Sequence, residues 1–179
     1  RARTCITPPL GVQLAGYFHP REAKSVRDDL YARAVVIENN EVRLALVSCD
    51  LISMTAEVST AAKGLIETET GIPAASVMVC ATHTHTGPEL RTGGSIERDE
   101  AWVEALPRHI ADAVAAADKA KVAATLRAGE TEVTGYSFNR LFRLEDGSEV
   151  FGRGGGGKAV LGNAGPIDPS VQTLSAVDT

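Results

Sequence analysis

The sequence ARAVVIENNEVRLALVSC, residues 32–49, contains two apolar, β-rich runs that are separated by Asn39 and Asn40. Two turn-prone residues between such runs predict a tight antiparallel hairpin. The second run, Val42 to Cys49, carries apolar side chains at consecutive positions, so both faces of this strand are apolar. Such a strand is typical of the centre of a sheet that is covered on two sides.

The sequence before and after this hairpin predicts a series of loops, helices and strands. Residues 1–23 are rich in Pro and Gly and predict an irregular loop. Residues 54–70 place apolar side chains at three-to-four spacing, which predicts an amphipathic helix that ends at Gly71. Residues 77–80 predict a short buried strand that runs directly into two histidines.

The second half of the chain continues this alternation. Residues 99–119 predict another amphipathic helix, in which Pro107 is expected to cause a kink or a new start. Residues 123–138 predict a strand, and a further strand is expected at 171–177. The glycine-rich stretch 152–157 is expected to be a flexible loop. This order predicts an α/β fold with a mixed β-sheet flanked by helices, in which ligands bind beyond the carboxyl ends of strands.

The composition limits the class of protein. The 179 residues are 44% hydrophobic and 23% charged, which is ordinary for a globular domain. A net charge of −5 with scattered Lys and Arg argues against nucleic-acid binding. No apolar run approaches the ~18 residues of a transmembrane helix. The cysteines, Cys5, Cys49 and Cys80, are too few for a disulfide framework and are expected to be free thiols, with a Cys49–Cys80 disulfide left open.

The segment from Thr82 to Thr86 carries the clearest chemical signal. Its two histidines, His83 and His85, are two residues apart, and side chains at that spacing point to the same side of an extended segment. Both imidazoles are therefore expected to face one site, and imidazole is the commonest metal ligand. The alternative is a pair of polar loop residues without a metal. A hydrolytic zinc site needs about three protein ligands, so this pair makes an incomplete site.

Other candidate residues lie near predicted strand ends or in the opening loop. Asp50 is expected either to join the site, as a ligand or as an acceptor for an imidazole N–H, or to cap the following helix. The donor fork of Arg140 suits a carbonyl or a developing oxyanion, the alternative being a surface residue beside a turn. Tyr17 is a candidate pocket-facing residue, whereas His19 and His109 are expected to be structural or solvated.

These residues together resemble the neutral, non-lysosomal ceramidases, and in particular their compact bacterial relatives. The segment ATHTHTGP, residues 81–88, resembles the Thr-His-Thr-His-Ser-Gly-Pro motif of that family. Five further segments resemble family motifs in the same order: GVQLAGY (11–17), LYARA (30–34), VSCDL (47–51), NR (139–140) and GPIDP (165–169). The resemblance therefore spans nearly the whole chain.

The resemblance implies a zinc-dependent amidohydrolase that cleaves the amide bond of an N-acyl lipid such as ceramide, giving sphingosine and a fatty acid. It assigns His83 as a Zn²⁺ ligand, and His85 and Arg140 as catalytic residues. It also implies that residues 1–179 are the amino-terminal portion of a single catalytic domain. The remaining zinc ligands would then lie further along, and this partial, truncated domain is not expected to assemble the full site alone. A secreted or periplasmic location follows by analogy only.

Three departures from the ceramidase pattern leave the substrate open. Thr86 replaces the usual Ser, Glu89 stands where the family has Gly, and Asn139-Arg140 precedes Leu-Phe-Arg instead of Ser-Pro. A lipid-like small molecule is still the expected substrate, and the sequence does not assign an oligomeric state. The alternatives are a metal-dependent amidase or esterase with a non-ceramide substrate, and a non-catalytic domain that keeps the fold and binds a ligand.

Overall fold

The structure is a computed structural model that describes residues 1–17, 19–152 and 156–178. The chain divides into two compact units, Arg1–Lys121 and Val122–Thr179, and each is described by itself. The assignment of residues 1–179 to one catalytic domain stays a prediction. So does the flexible loop at 152–157, because residues 153–155 lie outside the described ranges.

The first unit is built on a four-stranded sheet. Its strands are β1 (Ala2–Cys5), β2 (Tyr31–Glu38), β3 (Arg43–Cys49) and β4 (Val77–Ala81), in the order β1-β2-β3-β4. The pairs β1–β2 and β2–β3 are antiparallel, whereas β3 and β4 are parallel. The predicted α/β fold with a mixed sheet is confirmed, and the two segments that follow β3 and β4 leave the sheet at the same edge.

Two helices pack on this sheet. Helix α1 (Ala56–Thr70) begins after Thr55, whose side chain accepts a hydrogen bond from Val58 N, and ends at Gly71 in the left-handed conformation. Helix α2 (Glu100–Lys119) begins after Asp99, which caps Trp102 N in the same way. Helix α2 contacts β1 and β2, and α1 packs on α2. Neither helix among the described residues combines the length and apolar character needed to cross a membrane.

The core lies between the helices and one face of the sheet. Alternate residues of β2 and β3 are buried on this face, and the strand period of two therefore separates a covered face from an open one. The buried strand residues are Ala32, Ala34, Val36, Ala45, Val47 and Cys49, and they pack with apolar residues of both helices. Small side chains on β2, such as Ala32 and Ala34, let α2 approach the sheet closely.

The opposite face of the sheet corrects one expectation. Leu46 of β3 is only half-buried on this face, and its neighbours Val35 of β2 and Met78 of β4 are 40% and 56% exposed, so the described residues do not cover β3 on two sides. The same alternation separates two cysteines of neighbouring strands: Cys49 is buried, Cys80 is exposed, and both are free thiols. The disulfide left open between them is therefore not formed, and burial raises the pKa of the Cys49 thiol to about 12.

Three further expectations for the first unit need correction. The opening segment is not wholly irregular, because β1 pairs with β2. The hairpin is not closed by two residues, since Glu38 pairs with Arg43 and the Asn39 side chain accepts from the backbone of Glu41 and Val42. Helix α2 does not start afresh at Pro107, because it continues through this buried residue, whereas the kink expected as the alternative stays a prediction.

The second unit is made of strands. Strand β5 (Ala124–Glu132) pairs antiparallel with β9 (Ser170–Asp178), while β6 (Leu141–Leu144) lies between β7 (Glu149–Phe151) and β8 (Val160–Asn163). The predicted strand at 123–138 is confirmed over a shorter range, and the strand at 171–177 is confirmed. The three strands β6 to β8 were not predicted, because each is only three or four residues long, which is too short to show a periodic pattern.

Candidate active site

The two histidines follow β4 in a segment that remains attached to the loop after β3. Thr82 N donates to Cys49 O at 3.0 Å and Thr84 N donates to Leu51 O at 2.9 Å, which extends the parallel pairing beyond the last residue of β4. His83 has a φ of +65°, an uncommon value for a residue other than glycine. The segment is therefore not extended at His83, and the geometric reason given for the two imidazoles to share one side is wrong.

The imidazoles nevertheless lie together. Their ring centroids are 4.8 Å apart and the rings are nearly perpendicular, at 81°. Both side chains are exposed. The left-handed turn at His83 thus brings the rings together by a different route from the predicted one.

The His83 ring is oriented by a backbone carbonyl. Its Nδ1 lies 2.8 Å from the carbonyl oxygen of Ile52, in the loop that follows β3. A carbonyl oxygen only accepts hydrogen bonds, so Nδ1 carries the proton and donates. In the neutral imidazole this leaves the lone pair on Nε2, the atom that would bind a metal.

The His85 ring is oriented in the same way by the opening segment. Its Nδ1 lies 3.0 Å from the carbonyl oxygen of Gly16 and donates to it. Gly16 has a φ of +90°, and a Cβ at this position would come within 2.5 Å of His85 Nδ1. Glycine is therefore required here for both the backbone conformation and the close approach of the ring.

Aromatic and basic side chains border His85. The Tyr17 ring meets it edge-on at a centroid distance of 6.4 Å, and the Arg21 guanidinium stacks over Tyr17 at 4.4 Å. Tyr17 therefore lies beside His85, and its role as a pocket-facing residue stays a prediction. The His19 ring also lies near Tyr17, at a centroid distance of 6.2 Å, whereas His109 lies in α2.

Asp50 neither accepts from an imidazole N–H nor caps the following helix, and its alternative role as a metal ligand stays a prediction. One carboxylate oxygen accepts from Tyr31 N at 2.9 Å and pairs with the Arg33 guanidinium across the β2–β3 hairpin. The following helix is capped by Thr55 instead. Because Arg33 reaches Asp50 from the adjacent strand, this carboxylate is committed to the sheet and makes no hydrogen bond to either imidazole.

Arg140 lies in the second unit, just before β6. Its guanidinium stacks over the Phe151 ring at 5.0 Å, and its backbone carbonyl accepts from Gly152 N. The side chain is exposed and makes no ion pair with a described residue. Its assignment as a catalytic residue stays a prediction.

The donor set at the two histidines fits a zinc ion. A metal-binding imidazole commonly donates its second N–H to a backbone carbonyl, which fixes the tautomer and the direction of the ring, and both histidines do so here. A hydrolytic zinc site needs about three protein ligands. Within residues 1–17, 19–152 and 156–178, no group of three or more His, Cys, Asp or Glu side chains could hold a metal ion. The described residues thus offer part of a ligand set.

Two contributors to the site were missed in the sequence, the carbonyls of Ile52 and Gly16. Every residue carries a carbonyl, so composition gives no signal for Ile52. Gly16 did carry a signal, since a glycine before an aromatic residue in a loop often marks close packing or a positive φ. The signal identified a special backbone position without indicating which side chain would meet it.

Comparison with solved structures gives several matches, among them two ceramidase structures. A neutral ceramidase from Pseudomonas aeruginosa matches with a TM-score of 0.71 and 23% identity, over 99% of this chain and 29% of that chain. A structure described as a ceramidase complexed with C2 matches with a TM-score of 0.69 and 23% identity, over 99% of this chain and 28% of that chain. No protein-family model and no curated protein matches.

The match extends over almost all of this chain but less than a third of the ceramidase chains. At this level of identity the comparison establishes the fold. The sheet, the two helices and the strands of the second unit all lie within the matched range, because 99% of the chain is covered. The chain therefore has a partial ceramidase-like fold, that of part of the neutral ceramidase structures.

Proposed function

We propose that this protein is a zinc-dependent hydrolase that cleaves the amide bond of an N-acyl lipid such as ceramide. In this proposal His83 is a zinc ligand, and His85 and Arg140 are catalytic residues. The expected products from ceramide are sphingosine and a fatty acid. The ceramidase-like fold supports the reaction class, and the chemistry rests on the two histidines.

The observation that carries the proposal is the matched orientation of the two rings. Each Nδ1 donates to a backbone carbonyl, at 2.8 Å for His83 and 3.0 Å for His85, so each Nε2 keeps its lone pair. The rings lie 4.8 Å apart. Of two neighbouring imidazoles with available Nε2 atoms, one can bind a metal ion and the other can accept a proton.

Bound zinc would polarise the amide carbonyl and lower the pKa of a water molecule, which makes that water a nucleophile at neutral pH. His85 accepts a proton at Nε2 and later returns it to the leaving amine. The Gly16 carbonyl stabilises the protonated ring, because the Nδ1–H that it accepts becomes more acidic when the ring is charged. Arg140 offers a planar set of N–H donors to the oxyanion that develops on the carbonyl oxygen.

The proposal requires further zinc ligands from outside the described residues, since the histidine pair is short of the usual number. It also predicts that the isolated chain of 179 residues binds zinc weakly and turns over little substrate. Zinc content and hydrolysis should therefore be compared between this chain and the complete product of its gene.

The test uses histidine variants of the complete gene product. His83→Ala is expected to lose both stoichiometric zinc and N-acylsphingosine hydrolysis. His85→Ala is expected to keep zinc and to lose about 100- to 10,000-fold in kcat, the usual contribution of a general acid–base. His109→Ala, which removes an imidazole from α2, is the matched control and should change neither quantity.

Each other outcome selects a different function. Stoichiometric zinc with intact ceramide would favour an amidase or esterase for another substrate, which the departures at Thr86 and Glu89 make a specific alternative. Ligand binding without turnover of any amide or ester would favour a non-catalytic domain. Unchanged zinc content and activity in His83→Ala would refute the assignment of the metal ligand.

A further inference from the structure

Glu89 is a buried carboxylate just beyond the histidine segment. It is 2% exposed and lies between Pro88 and Leu90, which are both fully buried. Burying an ionised carboxylate is costly unless it is paired with a cation and its oxygens accept hydrogen bonds. Ion pairing with Arg91 holds the pKa of the Glu89 carboxyl below its usual range, so the group is charged at neutral pH.

Four donors satisfy this carboxylate. Oε1 accepts from Leu90 N at 3.0 Å, from Arg91 N at 2.9 Å and from Arg91 Nε at 2.9 Å, while Oε2 accepts from Arg91 Nη2 at 2.7 Å. Every donor comes from the two residues that follow Glu89. The carboxylate therefore folds its own segment into one compact shape and gives Leu90 its direction into the core.

This segment pairs with the opening loop. Glu89 N donates to Gln13 O at 3.1 Å, and Ala15 N donates to Gly87 O at 2.9 Å. Leu14 and Pro88 face each other as an isolated antiparallel bridge between these two hydrogen bonds. The backbone of Glu89 is thus the last partner in a short ladder that fixes how residues 13–15 lie against residues 87–89.

The ladder leads directly to His85. Gly16 follows Ala15, the last paired residue of the opening loop, and its carbonyl accepts from His85 Nδ1 at 3.0 Å. Leu14 and Ala15 are buried, so this stretch has little freedom once the ladder is formed. A shift of the ladder moves the Gly16 carbonyl relative to the imidazole.

We propose that Glu89 is a positioning residue, which together with Arg91 fixes residues 87–89 against residues 13–15 and so sets the Gly16 carbonyl that orients His85. It does not touch the imidazole. His83 is independent of this connection, because its carbonyl partner belongs to Ile52 in the loop after β3. The relevance of Glu89 to catalysis rests on the function proposed above. Its effect on the orientation of the His85 ring is expected whether or not that function is correct.

The test measures the tautomers of the two imidazoles in the metal-free chain of 179 residues, by ¹⁵N NMR of the ring nitrogens at a pH where both rings are neutral. In wild type both histidines should be mainly Nδ1–H, because each Nδ1 donates to a carbonyl. Glu89→Gln replaces Oε2 with an NH₂ group that cannot accept from Arg91. The ratio of Nε2–H to Nδ1–H is then expected to rise several-fold at His85 and to stay constant at His83.

Two further variants keep the test decisive. Glu97→Gln makes the same chemical change at an exposed position and should move neither ring. Arg91→Lys keeps the cation opposite Glu89 but replaces the Nε and Nη2 donors with a single ammonium group, through a side chain that is 62% exposed, so folding should survive even if Glu89→Gln does not fold. It is expected to shift His85 in the same direction.

Unchanged tautomers in both variants would overturn the proposal. An equal shift at His83 and His85 would also overturn it, because it would show general loosening of the unit. The measurement needs neither zinc nor substrate, so a failure of the zinc proposal would leave its outcome unaffected.

Discussion

His83 and His85 make the same kind of hydrogen bond, but the chain supports them differently. The Ile52 carbonyl that holds His83 lies 31 residues away, in a loop that the sheet itself brings alongside through the pairing of β3 with β4. The Gly16 carbonyl that holds His85 lies 69 residues away, in a segment outside the sheet. The orientation of His83 therefore forms with the fold, whereas that of His85 depends on how one loop is attached.

The two supports also differ in where they place backbone strain. At His83 the functional residue itself has a positive φ, of +65°. For His85 the positive φ belongs to the supporting residue, Gly16, and a glycine adopts its φ of +90° at little cost. The strain is thus carried by the proposed metal ligand in one case and avoided by glycine in the other. The two supporting carbonyls belong to different segments, although a Cβ at Gly16 would also meet the end of the Ile52 side chain.

The largest expected effect comes from Gly16→Ala, which targets the His85 support. The new Cβ would lie 2.5 Å from His85 Nδ1 and 2.7 Å from Ile52 Cδ1, so the ring must move. A displacement of about 1 Å at a catalytic group commonly costs about 100-fold in rate, and we expect that loss in kcat for the complete gene product. Zinc content should be nearly unchanged, because His83 keeps its carbonyl.

The matched control for this substitution is Gly93→Ala. Gly93 has a comparable φ of +78° but open space around the added methyl group. Gly93→Ala forces an alanine into the same left-handed region without touching the site. We therefore expect a loss of about 1 kcal/mol in the free energy of unfolding and an unchanged kcat. Equal losses of kcat in the two variants would show that backbone strain, and not contact with His85, is responsible.

A smaller effect is expected from relieving the strain at His83. His83→Gly and His83→Ala both remove the imidazole, but only glycine adopts a φ of +65° without a Cβ penalty. We expect the glycine variant to be about 1 kcal/mol more stable than the alanine variant, measured by urea denaturation with equal m-values. Equal stability of the two variants would mean that the segment relaxes once the ring is lost, and that the conformation is not set by the backbone pairing.

The fold was largely predictable because its elements carry strong local signals. Consecutive apolar residues identified β3 and β4, and Thr55, Gly71 and Asp99 mark helix ends through caps that depend only on neighbouring residues. Strand β1 was missed because ARTC, residues 2–5, is short and half polar. Its position is decided by pairing with β2, which is information from outside the segment.

The sequence predicted only those parts of the site that consist of distinctive side chains. The spacing and the position after β4 identified His83 and His85, and their proximity was expected for a reason that the φ of His83 contradicts. The role of Asp50 depended on Arg33, a residue of the neighbouring strand that local sequence does not connect to it. The two supporting carbonyls follow from tertiary structure alone, because the backbone groups of different residues are chemically alike.

The smallest expected effect concerns the two hydroxyls on either side of His83. Thr82 Oγ1 and Thr84 Oγ1 are 2.6 Å apart and bracket the residue with the positive φ. Thr84→Val keeps the branched shape and removes one hydroxyl, and the exposed Thr82 hydroxyl can turn to water. We therefore expect a loss of about 0.5 kcal/mol in the free energy of unfolding, with Thr92→Val in an exposed loop as the control.

This variant also tests how local the support of His83 is. Because Thr84 N donates to Leu51 O through the backbone, the Ile52 carbonyl should stay in place when the hydroxyl is lost. Any change in ring tautomer is then expected to be small at His83 and absent at His85, whose support comes from Gly16. A larger change at His85 than at His83 would show that the two carbonyls are coupled through the turn between the histidines, and the distinction between a sheet-built support and a loop-attached one would fail.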